Sequence, residues 1–548
     1  MRSPDDTPES SPPRGPKRDP AVHVAVGCLL ALAGALFFAR AWWFVTANSL
    51  PMDDQGVDLA LSVQLRESGG WAGFLSGCVR GSYREANRHP LLPLLLSPWA
   101  SRDPVFFDRA RAAGMIMALL SWGLLFWTLA RLEGKSTSLA ALAWMAVIPS
   151  TARYAGLVGP ESLLAAATAA GWLLLRSRRP AAGYAAGVCL GLGFMLKATG
   201  LLFAVACLLG AWLGGQSKRQ LLRTATGFLL VASPLIIRNL VVFHLPFYNV
   251  NQHVLWLDTW WDYWPREWAG TVESVGVAEY ASGHTVYQAL LRWLKGLAAV
   301  GGVFAHIWSP RGLLGAALFL PLAAWGLWND AHAARRRAAT ALLLACWAAF
   351  GWYAPVVLSD RFLYPLLPIA AYYAGQATLR LWERISGRAQ SRGAIAAACL
   401  TALLLWNAAA RDRAKPAWDL HSRGFREALR WMDGRFQDRT KVVMDTDDFL
   451  TWMLRSSPKK ACLPVPPVEL WRFAEWGKAE YVVLFHGSAR PVGLDYRSAF
   501  GNEVATVFSR IPPSASRPEG AASSDMTRDE PVPADEGHVL YTTGPTPR

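Results

Sequence analysis

This chain is poor in charge. Asp, Glu, Lys and Arg make up only 17% of its 548 residues, against 53% hydrophobic and 12% aromatic, and they cluster between apolar blocks. That balance excludes an ordinary soluble domain. Cysteine is also scarce. The seven cysteines are scattered, and no CxxC pair, Gly-rich phosphate loop or nucleophile elbow stands where it would carry meaning. Thiol redox chemistry, nucleotide binding and serine-type hydrolysis therefore find no support. His244, His253, His284 and His306 fall in one region, but their spacing matches no metal signature. No internal repeat is evident, which weakens an inverted-repeat transporter.

What the chain does have is a series of long apolar stretches between residues 21 and 411. The expected class is an α-helical polytopic membrane protein, since about 20 apolar residues span a bilayer. Spans are read at 21–46, 107–130, 137–152, 159–175, 181–196, 198–213, 222–243, 311–329, 339–358, 362–380 and 394–410, about eleven in all. Residues 1–20 form a polar, Pro-rich cytoplasmic segment, expected to be disordered, and 21–46 a retained signal anchor. With the N-terminus inside, Arg131/Lys135, Arg176/Arg178/Arg179, Lys218/Arg219/Arg223, Arg335–Arg337 and Arg380/Arg384/Arg388/Arg392 all become cytoplasmic. The positive-inside rule thus accounts for most of the net charge of +15 without invoking nucleic acid.

The same alternation assigns loops 47–106 and 244–310, and everything after residue 411, to the outer side of a plasma (inner) membrane. Val286–Ile307 is read as an interfacial or re-entrant helix, because counting it as a span would turn the Arg335 triplet outward. Residues 412–512 change character: Phe425–Phe436 reads as an amphipathic helix and Lys441–Met444 and Tyr481–Phe485 as buried strands. Helical pieces are expected near Asp448–Arg455 and Val468–Trp476. The expectation is a small extracytoplasmic α/β domain, followed by a disordered tail at 513–548. Cys78 and Cys462 both fall on the outer side, where two unpaired thiols or one disulfide would be compatible with the sequence.

Several polar residues stand at the outer ends of the apolar spans. Asp53 and Asp54 follow the first span. They read either as solvated loop charges and a helix N-cap for Gln55–Arg66, or as a site in which one acts as general base. An aspartate with a pKa near 3.9 cannot deprotonate an alcohol in the ground state, so such a base would take the proton in concert with attack. Asn87-Arg88-His89-Pro90 offers interfacial anchors or a phosphate-binding edge. Lys197, between two spans joined almost without a loop, is costly unless paired, snorkelling or holding an anion. Arg361 is a second such cation, with Asp360 as its expected partner. Arg153 and Glu161 flank the start of the 159–175 span, where an acid is ordinary helix-start chemistry or a sugar contact. Trp256, Trp260, Trp261, Trp264 and Trp268, with Asp258, Asp262 and Glu267 between them, read as an interfacial aromatic belt or a sugar platform.

Pro51-Met52-Asp53-Asp54, His89-Pro90, Gly193-Phe194-Met195-Leu196-Lys197, Pro234-Leu235-Ile236-Ile237-Arg238-Asn239 and Arg361-Phe362-Leu363-Tyr364-Pro365 occur in an order that resembles the GT-C superfamily of membrane glycosyltransferases. The protein O-mannosyltransferases and the lipid A aminoarabinose transferases are the similar groups, over roughly residues 21–411. The resemblance implies transfer of a sugar from a polyprenyl-phosphate carrier to a hydroxyl of a protein, lipid or glycan, by inverting displacement on the outer face. It implies Asp53 as base with Asp54 beside it. Glu161 would lie near acceptor or sugar, and His89 and Lys197 near the carrier phosphate. Arg88, Arg153 and Arg361 complete the expected substrate-binding set. Two positions depart from the family: Leu91-Leu92 separates Pro90 from Pro93, and the basic position is a histidine. No organic cofactor and no nucleic acid follow; a divalent ion bridging phosphate and carboxylates stays open. A transporter or flippase for a lipid-linked sugar is the alternative, since it too needs a lipid groove and phosphate-binding cations.

Overall fold

The computed structural model describes residues 34–35, 37–43, 51, 54–307, 314–386, 422–445, 450–456, 458–462, 467–485 and 495–511. Most of the expected span 21–46, the span 394–410, Met52, Asp53 and the two terminal segments lie outside the described residues. Within them the chain is mainly helical, with one small sheet near its C-terminus.

After Asp54 come α1 (Gln55–Glu67), α2 (Gly70–Arg80) and α3 (Leu91–Leu96). These are the polar loop 47–106, folded into short helices. The helical body follows as α4 (Val105–Glu133), α5 (Lys135–Val147), α6 (Pro149–Gly156), α7 (Glu161–Leu175), α8 (Pro180–Leu196), α9 (Thr199–Leu213) and α10 (Lys218–Phe243). After the loop 244–285 it continues with α11 (Val286–Ile307), α12 (Leu314–Trp328), α13 (Ala333–Tyr353), the one-turn α14 (Asp360–Leu363) and α15 (Leu367–Ser386). Among the described residues, α4 and α10 are long and apolar enough to cross a membrane, and α6 with α7 would make a third as one span bent by 117°.

The expected span 137–152 is broken, for a local reason. Ile148 is extended (φ −77°, ψ 122°) and Pro149 occupies the first turn of the next helix. Proline lacks the N–H to continue α5 and drives the preceding residue out of helical geometry. α6 therefore leaves the α5 axis, and the 117° bend into α7 turns the Glu161 end back toward α1.

α8 and α10 approach each other closely, because small residues line the contact. A Cβ on Gly187 would overlap the Thr224 carbonyl, and one on Gly227 the Tyr184 carbonyl. Such stripes let backbones approach where the hydrophobic effect offers little selectivity between helices. α10 also places Arg238 and Asn239 of the Pro234–Asn239 motif. Arg238 Nη1 donates to the Glu85 carbonyl and its guanidinium covers Tyr83 and Phe243, while Asn239 Nδ2 donates to the carbonyls of Pro246 (3.1 Å) and Tyr248 (3.2 Å). The motif thus ties two polar loops to one helix end.

The two ends of the body differ. At one end Glu133 binds Arg176 (2.7 Å), Arg335 (3.2 Å) and the Tyr372 hydroxyl (3.0 Å). Three loops expected to share a side therefore meet there. The other end carries Asp54, α1 and the C-terminal domain.

That domain begins with α16 (Arg423–Arg435), capped by Ser422 Oγ accepting from the Phe425 amide (3.2 Å). Its sheet, in order β2-β1-β3-β5-β4, joins β1 (Lys441–Met444), β2 (Lys459–Cys462), β3 (Tyr481–Leu484), β4 (Tyr496–Gly501) and β5 (Thr506–Arg510). β1 is parallel to β2 and β3, with Val442 opposite Tyr481; β5 is antiparallel to β3 and β4. α17 (Pro467–Trp476) makes the crossover into β3. The expected strands and helices of this region are present. β2, β4 and β5 were not anticipated, since β4 buries few of its residues and β2 is half lysine.

The domain docks through the one-turn helix Leu450–Met453, which packs on α1. Trp452 Nε1 donates to the Ser101 carbonyl (2.7 Å), Arg102 Nη1 donates to the Leu454 carbonyl (2.5 Å), and Phe106 and Phe107 lie 6.3 Å from the Trp452 ring. Cys78 is a free, buried thiol.

Candidate active site

The site is assembled from six short stretches at the α1 end of the body. Asp54 stands at the N-cap of α1 but makes no side-chain cap. Its carboxylate is turned outward, where Oδ1 accepts from Arg88 Nη2 (2.6 Å) and Oδ2 from Arg361 Nη1 (2.6 Å). An N-cap role, one of the two readings of this residue, is thereby set aside. Burial by itself would raise the Asp54 carboxyl, but the Arg361 and Arg88 guanidiniums outweigh it and hold the group well below the usual carboxylate range. A carboxylate so held is a poor proton acceptor. Asp53, the expected base, lies outside the described residues.

Arg88 is delivered by a loop with its own internal order. Glu85 Oε1 accepts from the amides of Asn87 (2.8 Å) and Arg88 (2.9 Å). Asn249 Nδ2 donates to the Asn87 carbonyl (3.0 Å), and Asn251 Nδ2 to Asn87 Oδ1 (2.8 Å). Loop 81–90 is thus stapled to the start of the long loop 244–285. Arg361 comes from α14, and its partner is Asp54 rather than the expected Asp360. Asp360 instead accepts from the Tyr154 hydroxyl and from Ser150 Oγ (3.5 Å).

Lys197 and Glu161 form the second pair, Nζ to Oε1 at 2.7 Å. Lys197 follows the last residue of α8 in extended geometry (φ −159°, ψ 145°), so its side chain leaves the helix axis toward the site. Its Nζ also lies 5.6 Å from the Phe362 ring centre. Glu161 opens α7 and is 7% exposed; its carboxyl folds over Gly159, where a Cβ would collide with it. A cation near hydrocarbon and an acid at a helix start were read separately in the sequence. In the fold each is the other's counter-ion. Arg153, on α6, has its guanidinium 5.7 Å from the Tyr154 ring centre, the same tyrosine that binds Asp360.

His89 takes a different place from the one expected of a phosphate ligand. It is 6% exposed, its Nδ1 meets the Phe194 carbonyl, and its Nε2 lies 3.4 Å from Asn249 Nδ2. Nδ1–H donating and Nε2 accepting is the neutral tautomer that satisfies both contacts. Burial is the main influence on the ring and, with Arg238, holds it down at about 3 despite the Phe194 hydrogen bond. A buried neutral imidazole joins loop 81–90 to the end of α8; it supplies no positive charge. The folded group binds no proton until far below the usual value near 6.5, so its contribution is complete above that value. It is lost at about 1.4 kcal/mol per pH unit as pH falls from there toward 3. His89→Asn, whose amide reproduces the Nδ1 donor, is expected to fold and to lose less stability than the wild type between pH 6.5 and 5. His89→Arg, which buries a cation there, is expected to melt many degrees lower; equal melting curves for both would refute this role.

Two residues of the site escaped the sequence reading. Gln55 is 3% exposed, and its Oε1 accepts from the Val158 amide (2.7 Å), pinning α1 to the α6–α7 bend. Asp58, 5% exposed, faces Arg88, Asp54, Glu161 and Lys197. Its four-residue spacing from Asp54 on a helix was the signal available.

Trp256, Trp260 and Trp264 of the tryptophan loop pack their rings on other side chains of the protein. Trp256 packs on Tyr280 and Trp352, Trp260 stacks on Tyr263 at 4.8 Å, and Trp264 packs with Phe473 against the C-terminal sheet core. Its acids are also engaged: Asp258 with His284 (3.1 Å), and Glu267 with the Tyr263 hydroxyl (3.2 Å). Among the described residues no group of three or more His, Cys, Asp or Glu is placed to hold a metal ion.

Residues 107–243 match the Dolichyl-phosphate-mannose-protein mannosyltransferase family. The fold is shared with the Archaeoglobus fulgidus oligosaccharyltransferase in complex with Zn and sulfate, at TM-score 0.50 and 13% identity over 82% of this chain and 67% of that one. ArnT from Cupriavidus metallidurans bound to undecaprenyl phosphate gives TM-score 0.49 and 14% identity over 90% of this chain and 99% of that one. The archaeal AglB in complex with an inhibitory peptide and a dolichol-phosphate gives 0.46 and 14% over 83% and 69%. No curated protein sequence matches the chain. The family match over residues 107–243 and the fold shared with the archaeal oligosaccharyltransferase establish that this chain resembles the GT-C superfamily of membrane glycosyltransferases.

Proposed function

We propose that this chain is an integral-membrane glycosyltransferase that moves a sugar from a polyprenyl-phosphate carrier to an acceptor hydroxyl. The observation that carries the reading is the charge cluster at the α1 end, where three cations, Arg88, Arg361 and Lys197, meet within reach of the acidic residues that follow the first apolar stretch. The mannosyltransferase family match supplies the carrier chemistry. Arg88 gives one of its five donors to Asp54, so the same guanidinium keeps N–H groups for an incoming anion.

The reaction is a single inverting displacement. Asp53 orients the acceptor hydroxyl and takes its proton as the oxygen attacks the anomeric carbon. The bond from that carbon to the phosphate oxygen breaks, and its electron pair stays with the phosphate. Lys197, Arg88 and Arg361 stabilise that developing charge, an effect that costs about 10²–10³ in rate per donor removed. Asp54 holds Arg88 and Arg361 in place, and Glu161 holds Lys197. A neutral His89 is a positioning residue in this scheme. A divalent ion would enter only as an addition to these residues. The Asp54 end and the C-terminal domain face outward, the Glu133–Arg176–Arg335 end faces the cytoplasm, and about eleven spans of a plasma (inner) membrane lie between. The domain beside α1 is placed to present a protein, lipid or glycan acceptor.

The test uses purified protein in lipid nanodiscs, a panel of radiolabelled polyprenyl-phosphate sugars and a crude envelope fraction. Label leaving the lipid and entering the acceptor is the expected result. Passage of an intact lipid-linked sugar between leaflets of a proteoliposome, with no cleavage of its phosphosugar bond, would identify a flippase instead.

A further inference from the structure

One buried acid has no part in the scheme above. Asp58 lies one helical turn beyond Asp54 on α1, its amide donating to the Asp54 carbonyl (3.1 Å). The charged groups that face it are Arg88 from loop 81–90, Asp54 from the start of its own helix, Glu161 from α7 and Lys197 from α8. The cations of the cluster bind other acids: Arg88 and Arg361 bind Asp54, and Lys197 binds Glu161. Among the described residues no side chain donates a hydrogen bond to the Asp58 carboxyl. A carboxylate buried without its own counter-ion is costly, and the neutral acid is the cheaper form. Burial dominates, Arg88 opposes it, and Asp54 and Glu161 add to it, so the group is pushed up to about 7.

Among the described residues Arg88, Arg361 and Lys197 stand with Asp54, Glu161 and Asp58, and ionisation of Asp58 lowers the charge of this cluster by one unit. We propose that the proton on Asp58 tunes anion capture by this cluster: a neutral Asp58 strengthens its hold on the phosphodiester of a lipid-linked donor, and an ionised Asp58 weakens it. This rests on the lipid-phosphate reading of the site and adds the residue that sets its affinity. Asp58 acts through the net charge of the pocket and is a positioning residue.

The experiment measures binding of farnesyl methyl phosphate, a diester carrying one negative charge at every pH used, to the full chain in phosphatidylcholine nanodiscs between pH 5.5 and 8.5. Because His89 stays neutral throughout, Asp58 is the group expected to move in this range. Wild-type Kd is expected to weaken about tenfold as pH rises through 7, the scale of one added unit charge in a protein of effective dielectric near 20. Asp58→Asn, isosteric with the neutral acid, should bind as tightly as wild type at pH 5.5 and show a flat profile. Asp58→Glu should keep the slope. A flat wild-type profile, or the same slope in wild type and Asp58→Asn, overturns the inference and leaves the lipid-phosphate reading standing. If Asp58→Asn fails to fold, the wild-type and Asp58→Glu profiles still decide. No binding by wild type at pH 5.5 overturns the lipid-phosphate reading itself, and the inference falls with it.

Discussion

Asp53→Asn is expected to lower single-turnover transfer by about 10²–10⁴, the range for loss of a positioned general base, with little change in donor affinity or melting temperature. Asp54→Asn is expected to behave differently, although the two residues are neighbours. Asp54 receives one arginine on each oxygen, and the two guanidiniums hold it ionised and engaged. Removing its charge leaves Arg88 and Arg361 partly buried and repelling each other, at a cost of roughly 2–4 kcal/mol. Its rate loss should therefore come with a lower melting temperature. Rates and thermal unfolding measured side by side on both variants separate the roles. Retention of more than a tenth of the wild-type rate by Asp53→Asn would end its assignment as base. A fall in melting temperature in Asp53→Asn equal to that in Asp54→Asn would argue that both acids serve the arginine clamp.

That contrast shows which parts of the molecule a sequence discloses. Helices were legible because their signal is local: Lys218–Phe243 and Val105–Glu133 announce themselves by apolar length, and Ser422 and the periodicity after it announce α16. The α5–α6 break lies at Ile148-Pro149, where uninterrupted hydropathy masks the proline's effect. Strand β4 is silent in the sequence because an edge strand that buries little resembles a polar loop. At the site, the residue types were legible and the pairings were not. Lys197 and Glu161 lie 36 positions apart, and Asp54 and Arg361 lie 307 apart, so only the packed body shows which acid meets which base. His89 illustrates the same limit from the other direction. Its position beside Pro90 suggested a cation, yet burial against Phe194 and Asn249 decides its charge.

The Lys197–Glu161 pair allows the structural and chemical contributions of one ion pair to be separated. Lys197→Met leaves the Glu161 carboxylate, whose side chain is 9% exposed, with its hydrogen-bonded cation gone. Loss of one partner of a buried pair costs about 3–5 kcal/mol. Glu161→Gln leaves the ammonium, whose side chain is 17% exposed, and should cost less because a lysine stem can carry its charge toward water. The double substitution removes both charges together, and an uncharged pair of similar volume is often as stable as the ion pair it replaces. Its melting temperature is therefore expected to return close to wild type, giving a large coupling in a double-mutant cycle. Transfer should not return with it. If Lys197 stabilises the departing phosphate, the double variant still lacks that charge and should stay about 10²–10³ below wild type in single-turnover rate. Recovery of rate along with stability would show that Lys197 serves only to neutralise Glu161. The phosphate contacts would then rest on Arg88 and Arg361 alone.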